Sequence, residues 1–220
     1  IETGATVTEV GSTDDGATVQ YEKNGALHSV QAKKCVMAVP APLALSVLQD
    51  LPKAKRVALE QCEYGAMSSA AFLVDRPSQE FFGEGVWRVL VVGMKTIGIG
   101  DPTFTFPDDM KREDGRGLIR LYAGDDGSQT LHKMSDDEAL DAFEKDMWDI
   151  FPSTRGRVLD RALKHWTHAI CLWRVGRLNL IDDIRAPHEN IHYCGDYTEN
   201  SGLESAVLSA KRVVSELVDG

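Results

Sequence analysis

The stretch "IHYCGDYTENSGLESAVLSAKRVV", residues 191–214, holds the residues best spaced for chemistry. An apolar run stops at Cys194, Gly195-Asp196 follows, then a polar loop, then an abrupt helical pattern. Ser201 reads as an N-cap with Glu204 three residues on, a capping box. Leu203, Ala206, Val207, Ala210, Val214 and Leu217 fall on one face of the helix that follows. The first-turn amides of Gly202, Leu203 and Glu204 have no acceptor inside such a helix and carry the positive end of its dipole. They can meet an anionic or electron-rich group of a ligand, a phosphate for example. Asp196, at the carboxyl end of the strand, can accept hydrogen bonds from ligand hydroxyls, and open α/β sheets bind ligands at that edge. The same pattern also fits an ordinary strand–loop–helix whose Asp caps a turn, and local residues leave both readings open.

Other reactive side chains say less. Cys35, Cys62, Cys171 and Cys194 are far apart, with no C-x-x-C, and read as reduced thiols in or near a core. His165 and His168 are three apart but flank Trp166 in a strand-like stretch with no third ligand, so no metal is expected.

The elements that must position these residues come from periodicity. "TVTEV" (6–10), "ATVQY" (17–21) and "LHSVQA" (27–32) alternate apolar and polar, with Asp15-Gly16 and Asn24-Gly25 between them, which predicts a three-stranded antiparallel meander. "CVMAV" (35–39) has no polar face and reads as a strand covered on both sides, ending at Pro40 and Pro42. A short helix is expected over 43–51. Strands are expected over 68–75, 86–93 and 117–124, with a surface loop over 98–115. The clearest helix spans 135–151, with a Ser135/Glu138 capping box, a Leu140-Phe143-Met147-Ile150 stripe and Pro152 beyond it. The middle strands read as one antiparallel sheet carrying a helix or two.

Composition bounds the function. The chain has 220 residues, 43% hydrophobic and 26% charged, enough for one large or two modest globular domains. A formal net charge of -10 argues against nucleic acid and against an anionic membrane surface. No apolar run approaches a membrane span, and "IETGATVTEV" reads as a strand instead of a signal peptide, so a cytoplasmic protein is expected. The chain does not start with Met and is expected to be a fragment, a processed subunit or a trimmed chain.

Three segments in order, "VMAVPAPLALSVLQDL", "WTHAICLWRVG" and "HYCGDYTENSGLESAVLSAKRVV", resemble the second half of the flavin-dependent amine oxidase superfamily. That group includes monoamine and polyamine oxidases, L-amino-acid oxidases, protoporphyrinogen oxidase and the smaller renalase-like enzymes, to which the length and spacing are most similar. Gly195-Asp196 matches the strand end of that group, and Glu204-Ser205-Ala206 with Ser209-Ala210 matches its final helix. The resemblance implies FAD as cofactor. Asp196, with Gly195, would hold a ribityl hydroxyl. The helix start at Gly202, Leu203, Glu204 and Ala206 would approach the pyrimidine edge of the ring. Val7 would contact adenine, and Pro40 would end the strand beside the adenosine. Trp166 would line the substrate side, although it fits a plain core aromatic equally well.

Three departures from the group stand out. Nothing reads as G-x-G-x-x-G opening a helix. "SSAAFLVD" (68–75) has Ser69 where many amine oxidases have Lys, which removes support for amine oxidation in particular. Ser205 and Ala210 stand where Gly is usual.

The expected fold class is therefore α/β (α+β). It comprises the second half of an FAD-binding Rossmann-like domain (1–42 and 184–220) with an inserted antiparallel-sheet-plus-helix substrate domain (43–183), and lacks the N-terminal dinucleotide-binding βαβ unit. The expected function is part of an FAD-dependent oxidoreductase. It would oxidise a C–N or C–C bond of a small-molecule substrate by hydride transfer, with O2 or another acceptor reoxidising the flavin. Its partner would be the N-terminal FAD-binding half, in the same or a separate chain. That half would cover "CVMAV" and the Leu203-Ala206-Ala210-Val214 stripe, so both are expected to be exposed in this chain alone; a homo-oligomer is also expected as an option. The alternative is a non-catalytic fragment or degenerate homologue acting as an interaction module. An NAD-binding domain is disfavoured by the missing fingerprint.

Overall fold

The computed structural model describes residues 1–107 and 114–219. The chain opens with strands β1 (Thr6–Thr13), β2 (Gly16–Lys23), β3 (Ala26–Ala32) and β4 (Cys35–Met37), then helices α1 (Ala41–Val47) and α2 (Lys53–Glu60). The middle holds β5 (Tyr64–Val74), α3 (Gln79–Phe82), β6 (Arg88–Leu90), β7 (Thr96–Gly100), β8 (Gly117–Gly124), α4 (Asp125–Leu131), α5 (Asp136–Ile150) and β9 (Val158–Cys171). It closes with α6 (Ile181–Arg185), β10 (Ile191–Tyr193) and α7 (Leu203–Asp219). These form two compact units, residues 1–64 with 170–220, and residues 65–169. Residues 43–64 and 170–183, expected with the middle domain, therefore belong by contact to the first unit.

In the first unit β1, β2 and β3 form the antiparallel meander that the sequence predicts. Asn24 and Gly25 both take positive φ, 53° and 75°, as a two-residue hairpin turn requires. The other turn sits one residue earlier than expected. Thr13 pairs with Gly16, so Asp14-Asp15 turn the chain. Gly16 starts β2 because a Cβ there would lie 2.3 Å from the Ala32 carbonyl oxygen. β4 pairs parallel with β10, Cys35 to Ile191 through Met37 to Tyr193. The core gathers Val10, Met37, Leu48, Leu59, Ile191 and Tyr193.

The apolar surface expected to need the N-terminal half lies exposed in this chain. "CVMAV" is not covered on both sides within this chain: Met37 is buried while Val36 and Val39 are exposed. The α7 stripe does not pack inward either. Leu203 is 90% exposed and Val214 59%, and the packed side is Ser205, Ser209 and Val213. α1 starts at Ala41 with Pro40 as its N-cap and Pro42 in its first turn, two residues earlier than expected.

In the second unit the sheet runs β6-β7-β8-β5-β9. β8 alternates buried Ile119, Leu121 and Ala123 with half-buried Leu118, Arg120 and Tyr122, as a sheet with one core face should. α5 lays Leu140, Phe143 and Met147 on that core, and its Ser135/Glu138 capping box is formed. The loop expected over 98–115 is corrected in part: β7 occupies its start, inside the sheet, and 108–113 lie outside the described residues. The strand expected over 86–93 shrinks to Arg88–Leu90.

Candidate functional site

β4 and β10 run parallel, so their carboxyl ends share one edge. The Cys194 amide donates to the Met37 carbonyl at 3.0 Å, which sets Ala38-Val39-Pro40 beside Gly195-Asp196. Adjoining β4 lies an apolar pocket of 710 Å³, lined among others by Val7, Val10, Cys35, Met37, Val39 and Leu43. Val7 and the 38–40 strand end, far apart in sequence, thus line or border one hollow.

The Gly195 loop is tightly built. Gly195 has φ 140°, and a Cβ there would lie 2.8 Å from the buried Tyr197 ring, so only glycine fits. Its amide donates to Ser209 Oγ at 2.9 Å, and its carbonyl accepts from the Thr198 amide and hydroxyl at 3.0 and 2.8 Å. Asp196 is half-buried, and its carboxylate accepts no hydrogen bond among the described residues. Its charge reaches Tyr64 and Cys171. Burial holds the Tyr64 phenol well above its ordinary value, and the neighbouring Cys171 and Asp196 add to that. Tyr64 Oη also accepts from the Ala41 amide at 3.4 Å. A carboxylate at a strand end, with lone pairs unused by the described residues, fits ligand hydroxyls.

Behind the loop sits a charge network that sequence reasoning missed. Arg212 Nε donates to Glu199 at 3.0 Å and Nη1 to Glu216 at 2.6 Å. Its Nη2 donates to the Tyr193 carbonyl at 2.9 Å and to Thr198 Oγ1 at 3.2 Å. Arg185 pairs with the other Glu199 oxygen, and His192 Nδ1 meets Glu216 at 3.0 Å. The i,i+4 spacing of Arg212 and Glu216 was the available signal.

The helix start is corrected. α7 begins at Leu203, and the Ser201 hydroxyl donates to the Cys171 carbonyl instead of capping the helix, so its box with Glu204 is not formed. The Ala206 amide is spent on the Gly202 carbonyl at 3.3 Å, so it is not open to a ligand. Leu203 and Glu204, in the first turn, are exposed and have no acceptor one turn back. Val7, Pro40, Gly195, Asp196, Gly202, Leu203, Glu204 and Ala206 thus all lie in the first unit. Trp166 lies in the second, on β9, 36% exposed. The residues present fit a flavin dinucleotide: an apolar hollow adjoins β4, and an uncommitted carboxylate follows the parallel strand β10 ahead of a helix start.

Four thiols are free, three of them buried. Among the described residues no group of three His, Cys, Asp or Glu side chains can hold a metal, and no helix is long and apolar enough to cross a membrane. Ser69 accepts from Arg120 Nε at 2.9 Å.

Comparison with known proteins gives a consistent picture. The profile of the family described as flavin containing amine oxidoreductase matches residues 1–218. Protoporphyrinogen oxidase 1, chloroplastic, of Spinacia oleracea is 26% identical over 215 residues, 90% of this chain and 38% of that protein. Its Arabidopsis thaliana counterpart is 24% identical over 218 residues, 92% of this chain and 40% of that protein. The chain thus spans about two fifths of the length of these relatives. The structure of wild-type putrescine oxidase bound to putrescine superposes with a TM-score of 0.79 at 18% identity, over 98% of this chain and 49% of that one. The mixed helix-and-sheet fold is that of the amine oxidases.

Proposed function

The chain belongs to the flavin containing amine oxidoreductase family, and from that premise we propose that it forms part of an FAD-dependent oxidoreductase acting on a small-molecule C–N or C–C bond. The observation that carries the reading is the shared edge of β4 and β10, which sets the 38–40 strand end, at the Val7 pocket, beside Gly195-Asp196. When bound, the flavin supplies the hydride acceptor. Asp196 accepts a ribityl hydroxyl, Val7 and Pro40 border the adenosine, and the Leu203 and Glu204 amides favour negative charge at the ring's pyrimidine edge. Ala206 lends packing alone, its amide being occupied. Trp166 is proposed as the substrate-side aromatic.

The remaining half of the FAD domain, with its pyrophosphate-binding βαβ unit, comes from the same or a separate chain in this reading. Its support is the apolar surface left open on the first unit: Val36, Val39, Leu203, Val207 and Val214 are all exposed. Four unpaired thiols fit a reducing compartment such as the cytoplasm. The test is flavin content of the full-length protein after gel filtration. Asp196→Ala is expected to weaken FAD retention by about 1.5–3 kcal/mol, the scale of a hydrogen bond to a charged group, while Asp14→Ala, a turn residue, leaves it unchanged. Equal flavin occupancy in both variants would refute the assignment of Asp196.

A further inference from the structure

The second unit has a feature the flavin reading does not use. Cross-strand pairing aligns Arg88, Gly100, Arg120 and Ala71 in one row over β6, β7, β8 and β5. The next row is Leu90, Gly98, Tyr122 and Ser69. Paired residues share a face, and this is the face opposite the Ile119-Leu121 core. Glycine stands between the two arginines, so the floor of the trough there is bare backbone. A Cβ at Gly100 would lie 2.4 Å from the Trp87 carbonyl oxygen, and one at Gly98 would lie 3.6 Å from the Arg88 guanidinium.

The two arginines converge on one ring. The Arg120 guanidinium carbon lies 4.8 Å from the Tyr122 centroid and that of Arg88 5.7 Å. Among the described residues neither has an acidic partner, Arg120 spends its Nε on Ser69, and Arg88 makes no hydrogen bond. Among the described residues Asp101 is the one carboxylate lining the small hollow at their edge, and it is committed. Its Oδ2 accepts from Ser78, and its Oδ1 accepts from the Thr103 amide and hydroxyl, both at 2.7 Å. Two guanidiniums with free in-plane donors, in a chain of net charge -10, are built for an external anion.

We propose that the trough between Arg88 and Arg120 binds the carboxylate of a small organic acid whose apolar body lies along Tyr122, Leu90 and Trp87. The paired backbone of the floor and the flanking chemistry select the carboxylate over inorganic phosphate. The floor is a strand ladder whose amides are spent on neighbours, so the backbone cradle that phosphate prefers is missing. The flanks, exposed Trp87 and Leu90, suit an apolar body. The proposal stands apart from the flavin reading, because its readout is binding and needs no turnover.

The experiment is calorimetric titration of the full-length protein with 3-phenylpropionate, its neutral amide 3-phenylpropanamide, and inorganic phosphate. The carboxylate is expected to bind at least about tenfold more tightly than either control, and Arg88→Gln and Arg120→Gln are each expected to weaken it about tenfold or more, the scale of a lost charge-assisted bond. Arg116→Gln, an exposed residue beside Asp114, is the unaffected comparison. Arg88 is exposed, so its variant is expected to fold, and unchanged flavin content and melting temperature check that. Three results would overturn the proposal: no carboxylate binding up to about 10 mM, equal binding of the amide or of phosphate, or unchanged affinity in Arg88→Gln.

Discussion

Arg212→Met tests how the candidate site is held. The guanidinium ties four groups from three places in the chain: the Tyr193 carbonyl ending β10, Thr198 and Glu199 in the loop, and Glu216 on α7. Its side chain is 22% exposed, so its bonds are partly shielded from water. Removing one partner of a fully buried pair costs about 3–5 kcal/mol because a charge is stranded. Here neither carboxylate is stranded, since Glu199 keeps Arg185 and Glu216 keeps His192. An exposed pair is worth about 0–1 kcal/mol. The loss should fall between these limits, about 2–3 kcal/mol. Arg174→Met, which breaks a single exposed pair with Glu63 in the same unit, should cost less than about 1 kcal/mol. The assay is urea unfolding of both variants with hydrogen exchange on the β10 and α7 amides. Arg212→Met should raise exchange there and lower flavin retention as well, because the strapped loop carries Asp196. A cost within about 0.5 kcal/mol of the Arg174→Met value would refute the reasoning.

Gly195→Ala should destabilise by about 1–3 kcal/mol, through a strained φ and a clash with the buried Tyr197 ring; an unchanged urea midpoint would show that the loop gives way freely. His165 is held below its ordinary pKa by burial and by neighbouring His132, with Nδ1 2.7 Å from Ser68 Oγ. Protons therefore bind the unfolded chain first, so its contribution is complete above about pH 6.5 and is lost as pH falls below that. Comparing urea midpoints at pH 7.5 and 5.5, His165→Gln should show a smaller drop than the parent protein, and an equal drop would contradict this.

Much of the fold was legible because local signals and tertiary packing agreed. Asn24-Gly25 turned as hairpins require, and the Ser135/Glu138 box fixed the start of α5. Misses occurred where distant partners overrode the local pattern. α2 has no counterpart among the expected elements, and on its buried side Lys55 is only 5% exposed. Its ammonium donates to the carbonyls of Asp183, Ile184 and Ala186 at 2.9, 2.8 and 2.6 Å and lies 3.6 Å from the centre of the Tyr193 ring. Burial and Arg212 push its pKa down to about 7. β7 falls where a loop is expected, since Gly98 and Gly100 look like turn residues, whereas Gly100 is needed for the close approach of the Trp87 carbonyl.

α7 divides its two sides. Its apolar stripe, expected to meet the N-terminal half, is exposed in this chain. The side of Ser205, Ser209, Arg212 and Glu216 is packed, because Ser209 accepts from the Gly195 amide and Arg212 donates to the Tyr193 carbonyl and the Thr198 hydroxyl. Within the site, Gly195-Asp196 was legible from the strand-end pattern. The network holding it was not, since its members are brought together by the fold alone.

The most direct measurement is the cofactor released from the full-length protein on denaturation, identified by chromatography and counted against protein. The account predicts FAD at about one per chain, with its visible absorption perturbed from that of free FAD while bound. Absence of flavin, or release of FMN in its place, would contradict it.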